Sequence, residues 1–100
     1  MKVKITKPAQ RRLKQIDDYY RRKGNQSYTR KLRKEIREKS KLLSENPEMG
    51  REEEYLKGLG LGHRYVLVAK LFKLIYLIAK PFIFITDIFD TRQAPKDMKP

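Results

Sequence analysis

The stretch Arg64–Arg92, RYVLVAKLFKLIYLIAKPFIFITDIFDTR, decides the fold. Its apolar runs are parted by cationic breaks at Lys70, Lys73 and Lys80–Pro81. Runs of this length, rich in Val, Ile, Phe and Tyr, are the strands of an antiparallel meander. They are expected at about Arg64–Ala69, Phe72–Ala79 and Phe82–Phe89, with turns near Lys70–Leu71 and at Lys80–Pro81. Strict alternation places Phe82, Phe84 and Ile88 on one face of the last strand and Ile83, Ile85 and Phe89 on the other. A strand apolar on both faces is a central strand, covered from both sides. It runs out into the polar Asp90-Thr91-Arg92, and the working surface is expected beside this sheet.

Upstream, Lys2–Thr6 alternates charged and apolar residues at the period of a short strand. Thr6 is a helix N-cap and Pro8 falls in the first turn, where its missing N–H costs nothing. A helix follows over about residues 7–23, with Leu13, Ile16 and Tyr20 on one face. Gly24-Asn25 ends it. Ser27 can cap a second helix, about 27–45, along the line Tyr28, Leu32, Ile36, the Lys39 stem and Leu43, and Asn46-Pro47 stops it. The short link makes the two an antiparallel hairpin. Residues 46–62 are expected as a loop, glycine-rich at Gly58, Gly60 and Gly62, with Glu52–Glu54 solvated. The sheet therefore needs a second cover on its other face: this loop, the tail 91–100, or a partner. The expected fold is α+β, one domain over residues 1–100, with a helical hairpin packed on a small, mainly antiparallel four-stranded twisted sheet.

Composition narrows the function classes. The chain holds 25 Lys and Arg against 12 Asp and Glu, a net charge of +13. Residues 1–46 carry +11 of it, which points to a polyanionic partner. On the second helix Arg30, Lys31, Arg33, Lys34, Arg37 and Lys41 face away from the apolar line and are candidates for phosphate contact. There is no cysteine, so disulfides and thiolate metal sites are excluded. The N-terminus has no apolar signal core, and the C-terminal apolar stretch is broken too often for a spanning helix, so a cytoplasmic protein with no membrane partner is expected. No Asp/His cluster suggests a metal, and no cofactor is expected.

Strand, helical hairpin, glycine-containing loop and meander, in this order and length, resemble the RelE/ParE superfamily of type II toxin–antitoxin toxins. The residues that carry the resemblance are Asn46-Pro47 through Gly50-Arg51, Arg64-Tyr65, Ile75-Tyr76 and Asp87-Ile88-Phe89-Asp90-Thr91-Arg92-Gln93. The resemblance implies a toxin neutralised by an antitoxin whose C-terminal segment wraps it, here across the sheet face. It implies one of two activities. One is cleavage of mRNA in the ribosomal A site without a metal. The other is poisoning of DNA gyrase.

Metal-free RNA cleavage needs a base, an acid and cations around the phosphate. The positions that match the cleaving members are Arg51, Arg64, Lys73 and Arg92, with Arg92 as phosphate clamp and Tyr76 stacking on a base or donating to a phosphate. His63 is a candidate acid or base, since a free histidine titrates near ~6.5; a histidine beside a glycine loop is otherwise a solvated residue. Cleaving members often carry a tail tyrosine or histidine, and Gln93–Pro100 has neither. Asp90 is expected to orient Arg92 or to cap the tail. The leading expectation is therefore a ribosome-dependent mRNA endonuclease. The alternatives are a gyrase inhibitor that acts by binding, and a non-toxic basic RNA-binding module.

Overall fold

The computed structural model describes residues 1–100. Its elements are β1 (Lys2–Ile5), α1 (Lys7–Arg22), α2 (Gln26–Glu45), β2 (Arg51–Glu52), β3 (Arg64–Val68), β4 (Phe72–Ala79) and β5 (Phe82–Asp90). Short 3-10 turns occupy Pro47–Met49, Glu54–Leu59 and Pro95–Asp97. The fold is α+β, as expected. The sheet has five strands rather than four, in the order β1-β5-β4-β3-β2. The added strand is only Arg51 and Glu52, paired with Tyr65 and Arg64, too short to leave a periodic signal. All pairs are antiparallel except β1 with β5, which is parallel.

The helix starts separate into one success and one correction. Thr6 Oγ1 accepts from the N–H of Ala9 at 3.3 Å and opens α1. Ser27 does not cap α2: the helix begins at Gln26 and Asn25 holds the N-cap position. The Ser27 hydroxyl donates instead to Asn25 Oδ1 at 3.1 Å. Gly24 takes φ +73° in the link, a left-handed conformation that glycine adopts without a Cβ penalty. Tyr20 packs at a tilt against Tyr28, and Arg33 binds Asp17, which sets the antiparallel register of the hairpin.

The hairpin covers one face of the sheet. Ala9, Leu13, Leu32, Ile36 and Leu43 pack on Val66, Val68, Phe72, Leu74, Tyr76, Ile83, Ile85 and Ile88. Ile88 therefore shares a face with Ile83 and Ile85, not with Phe82 and Phe84. The cause is a bulge: Ile75 pairs with Asp87 but Tyr76 pairs with Ile85, so Thr86 is an extra residue. One inserted residue inverts the alternation beyond it. On the opposite face Leu56 from the loop and Met98 from the tail pack with Ile75 and Phe89. Loop and tail thus supply part of the second cover. The β3–β4 turn places Ala69 and Lys70 at φ +49° and +62°. Glu35 accepts the Ala69 N–H at 2.9 Å and Tyr28 donates to the Ala69 carbonyl at 3.3 Å, so α2 pins that turn.

Candidate functional site

Arg92 lies just past β5, exposed, with a side chain already partnered. Its Nε and Nη2 donate to the two carboxylate oxygens of Asp90 at 3.1 and 2.9 Å, and its backbone N–H donates to Oδ1 at 2.8 Å. Nη2 also reaches Tyr20 Oη at 3.4 Å. Asp90 orients Arg92, as the sequence suggested. Burial alone would raise the Asp90 pKa, but the Arg92 hydrogen bonds and charge outweigh it and hold the carboxyl below its usual range. The same contacts raise the pKa of Arg92. Arg92 borders a cleft of about 240 Å³ between α1 and the end of β5, lined also by Arg12, Tyr19, Tyr20, Phe72 and Asp90.

The other three cations are elsewhere. Arg64 is opposite Tyr76 and donates Nη1 to the Gly50 and Glu48 carbonyls at 2.8 and 3.3 Å. Lys73 is opposite Leu67 and Phe89, on the face away from the helices. Three residues along β4 separate the two rows, roughly 10 Å, and an odd spacing puts them on opposite faces. Lys73 donates to Glu53 Oε1 at 2.7 Å and lies 4.3 Å over the Tyr65 ring. Arg51, paired with Tyr65, is exposed at the far edge and borders a shallow groove with Lys39, Met49 and Leu67. The structure does not bring Arg92, Arg64, Lys73 and Arg51 around one point.

Three expectations are corrected here. Tyr76 is fully buried: its hydroxyl donates to the Pro47 carbonyl at 2.7 Å and accepts from the Gly50 N–H at 2.9 Å. It cannot stack on a base in this position. Burial raises its pKa against the opposing pull of the Gly50 hydrogen bond and the Arg64 charge. His63 is not a solvated loop residue but 1% exposed, with neither ring nitrogen hydrogen-bonded. Burial lowers its pKa and outweighs the upward pull of Glu53. Glu53 is likewise not solvated; it is 2% exposed and serves Lys73 with one oxygen and the Tyr55 N–H with the other. The sequence carried one signal for this pair: a lysine alternating with apolar residues on a central strand needs an acidic partner.

Sequence reasoning also passed over Arg12. It donates to Asp87 at 2.9 and 3.4 Å and to the Asp97 carbonyl at 2.8 Å, while Lys99 N–H donates to Asp87 Oδ2 at 2.9 Å. A fully buried carboxylate thereby ties α1 and the tail to β5. Of the six cations singled out on α2, Arg33 is engaged by Asp17, while Arg30, Lys31, Lys34, Arg37 and Lys41 are exposed and form no salt bridge. No three His, Asp or Glu side chains gather as a metal site, and no helix is long and apolar enough to cross a membrane.

Chemically, the groups at the end of β5 are an exposed, clamped guanidinium, a half-buried carboxylate held anionic and two phenols, Tyr19 exposed and Tyr20 half-buried. This set can contact anions and planar groups. No curated protein matches the chain. Residues 3–95 match the family described as ParE toxin of type II toxin-antitoxin system, parDE. The chain belongs to that family, and so is a toxin of a type II toxin–antitoxin system with an antitoxin as partner.

Proposed function

We propose that this member of the ParE toxin family arrests growth in the cytoplasm by binding its target without cutting RNA, and that the target is DNA gyrase. The observation that carries the reading is the engagement of the candidate catalytic groups. Lys73 is neutralised by buried Glu53, Arg64 is spent on backbone carbonyls, and Tyr76 and His63 are buried. Each proton-transfer group in a nuclease contributes ~10²–10⁴-fold, and of these four candidates none stands free beside Arg92 or Arg51. A binding inhibitor needs only a presented surface.

The antitoxin seat follows from what loop and tail leave open. Leu77, Phe82 and Phe84 are only half-buried on the outer face, where Leu77 pairs with Phe84 and the strip is bordered by Lys2 and Lys4. Lys4 Nζ lies 4.4 Å over the Phe82 ring. An amphipathic segment with acidic flanks would bury the strip and pair with the lysines.

The test is one preparation assayed twice. Plasmid supercoiling by gyrase should fall with added toxin, while primer extension on a message in a translating extract should show it intact. Discrete cuts within codons, with supercoiling unaffected, would overturn the proposal in favour of ribosome-dependent cleavage.

A further inference from the structure

We propose that the outer face of α2 is a docking rail for duplex DNA, so that the toxin engages gyrase while the enzyme holds its DNA. The choice of duplex DNA over other polyanions rests on the gyrase reading; the rail itself is built from geometry. Arg30, Lys34, Arg37 and Lys41 follow one another at spacings of four, three and four residues. At 100° per residue these four fall within about 60° of arc, on one stripe along the helix. The stripe lies opposite Leu32, Ile36 and Leu43, which are buried against the sheet. All four side chains are exposed and none is in a salt bridge.

Length fits as well as charge. The eleven helical steps from Arg30 to Lys41 span roughly 16 Å, and each strand of duplex DNA presents about five phosphates over that distance. The neighbours sharpen the stripe. Arg33 is withdrawn to Asp17 on the α1 side. Lys31 lies on the other flank, where Glu38 also falls. A protein partner would want apolar anchors at the centre of its seat. The only exposed large apolar residue of α2 is Leu42, which lies off the stripe. Phosphate contact requires none.

The test compares the toxin with a variant carrying Arg30→Gln, Lys34→Gln, Arg37→Gln and Lys41→Gln. A control loses the same charge elsewhere, through Lys7→Gln, Lys80→Gln, Lys96→Gln and Lys99→Gln, all exposed. Circular dichroism melts establish that each is folded. Binding to a labelled duplex is followed by anisotropy from about 50 to 200 mM salt. The stripe variant should lose roughly tenfold or more in affinity, and its slope of log K against log salt should shrink by about 3.6, at ~0.9 per phosphate contact. The control should keep most of the slope. Equal slopes for the two variants, or tighter binding to a single-stranded RNA of the same length, would overturn the rail. Loss of antitoxin binding by the stripe variant with DNA binding unchanged would also overturn it and assign the stripe to a protein. Gyrase inhibition is scored separately. Supercoiling inhibited with equal slopes sinks the rail alone; slopes as stated with supercoiling untouched sink the gyrase reading alone.

Discussion

Lys73 Nζ stands 2.7 Å from Glu53 Oε1, and the carboxylate side is 2% exposed while the lysine is 25% exposed. The pair ties the outer face of β4 to the loop that covers it. A buried carboxylate is costly alone and tolerable with its partner. Lys73 is therefore held for structure before it can be offered to a substrate.

That relationship yields the first prediction. Lys73→Met leaves Glu53 buried and unpaired and should cost about 2–4 kcal/mol. Adding Glu53→Gln should recover most of the loss, since the new amide oxygen still accepts from the Tyr55 N–H. Urea unfolding of the two singles and the double measures the coupling. If Lys73 serves stability and not chemistry, the double variant regains growth inhibition as well as stability. A stable but harmless double variant would return Lys73 to the catalytic list.

Gly50 and Tyr76 give the second. A Cβ on Gly50 would stand 2.5 Å from the Tyr76 hydroxyl and 2.7 Å from the Tyr65 carbonyl oxygen. Tyr76→Phe should cost about 1–3 kcal/mol, by orphaning the Gly50 N–H and the Pro47 carbonyl. Gly50→Ala should cost more, because the backbone at Tyr65 cannot move aside. The double variant should be no better than Gly50→Ala alone, since removing the hydroxyl leaves the Tyr65 oxygen in place. Thermal melts decide the order.

His63 makes stability depend on pH. Its folded pKa lies below the value near ~6.5 that the unfolded chain shows. Between the two the unfolded state binds the extra proton, so its contribution is whole above ~6.5 and drains away as pH falls towards the folded pKa. Urea midpoints at about pH 7.5 and 5.5 should differ for the natural chain, with the acid value lower. His63→Phe, which needs no hydrogen-bond partner, should remove that part of the slope. A midpoint difference equally large in the variant would assign the acid sensitivity to other groups.

Lys70 offers a gain. Its φ of +62° is left-handed, a conformation that costs an L-residue about 1–2 kcal/mol and glycine nothing. Glycine also adds freedom to the unfolded chain, which takes back part of this. Lys70→Gly should thus raise stability by about 0.5–1 kcal/mol net. A lower melting temperature would mean that the lysine side chain contributes more than its backbone strain costs.

The meander was legible because its apolar runs are long and its breaks are charged or proline, and α1 was legible from Thr6, Pro8 and the Leu13–Ile16–Tyr20 face. What stayed hidden depends on single residues answering to distant ones. Thr86 looks like any strand threonine, yet as a bulge it moves Ile88 to the helix side. Glu53 sits in a run of three glutamates, and only the position of Lys73 across the sheet selects it for burial. His63 reads as a loop residue until Leu56 folds the loop onto the sheet. The candidate site suffered most, since four cations spread over β2, β3, β4 and the tail carry no sequence sign of whether they converge.

The parallel pairing of β1 with β5 joins Lys2 to Phe82 and Ile5 to Ile85. During synthesis the first strand must wait, unpaired, until nearly the whole chain has been made. Closing so long a loop is slow relative to forming the local hairpin of α1 and α2. A nascent or truncated chain therefore has no completed sheet, and none of the surfaces that the finished sheet presents. Poisoning capacity arrives only with the last strand, so translation itself imposes a delay on the toxin.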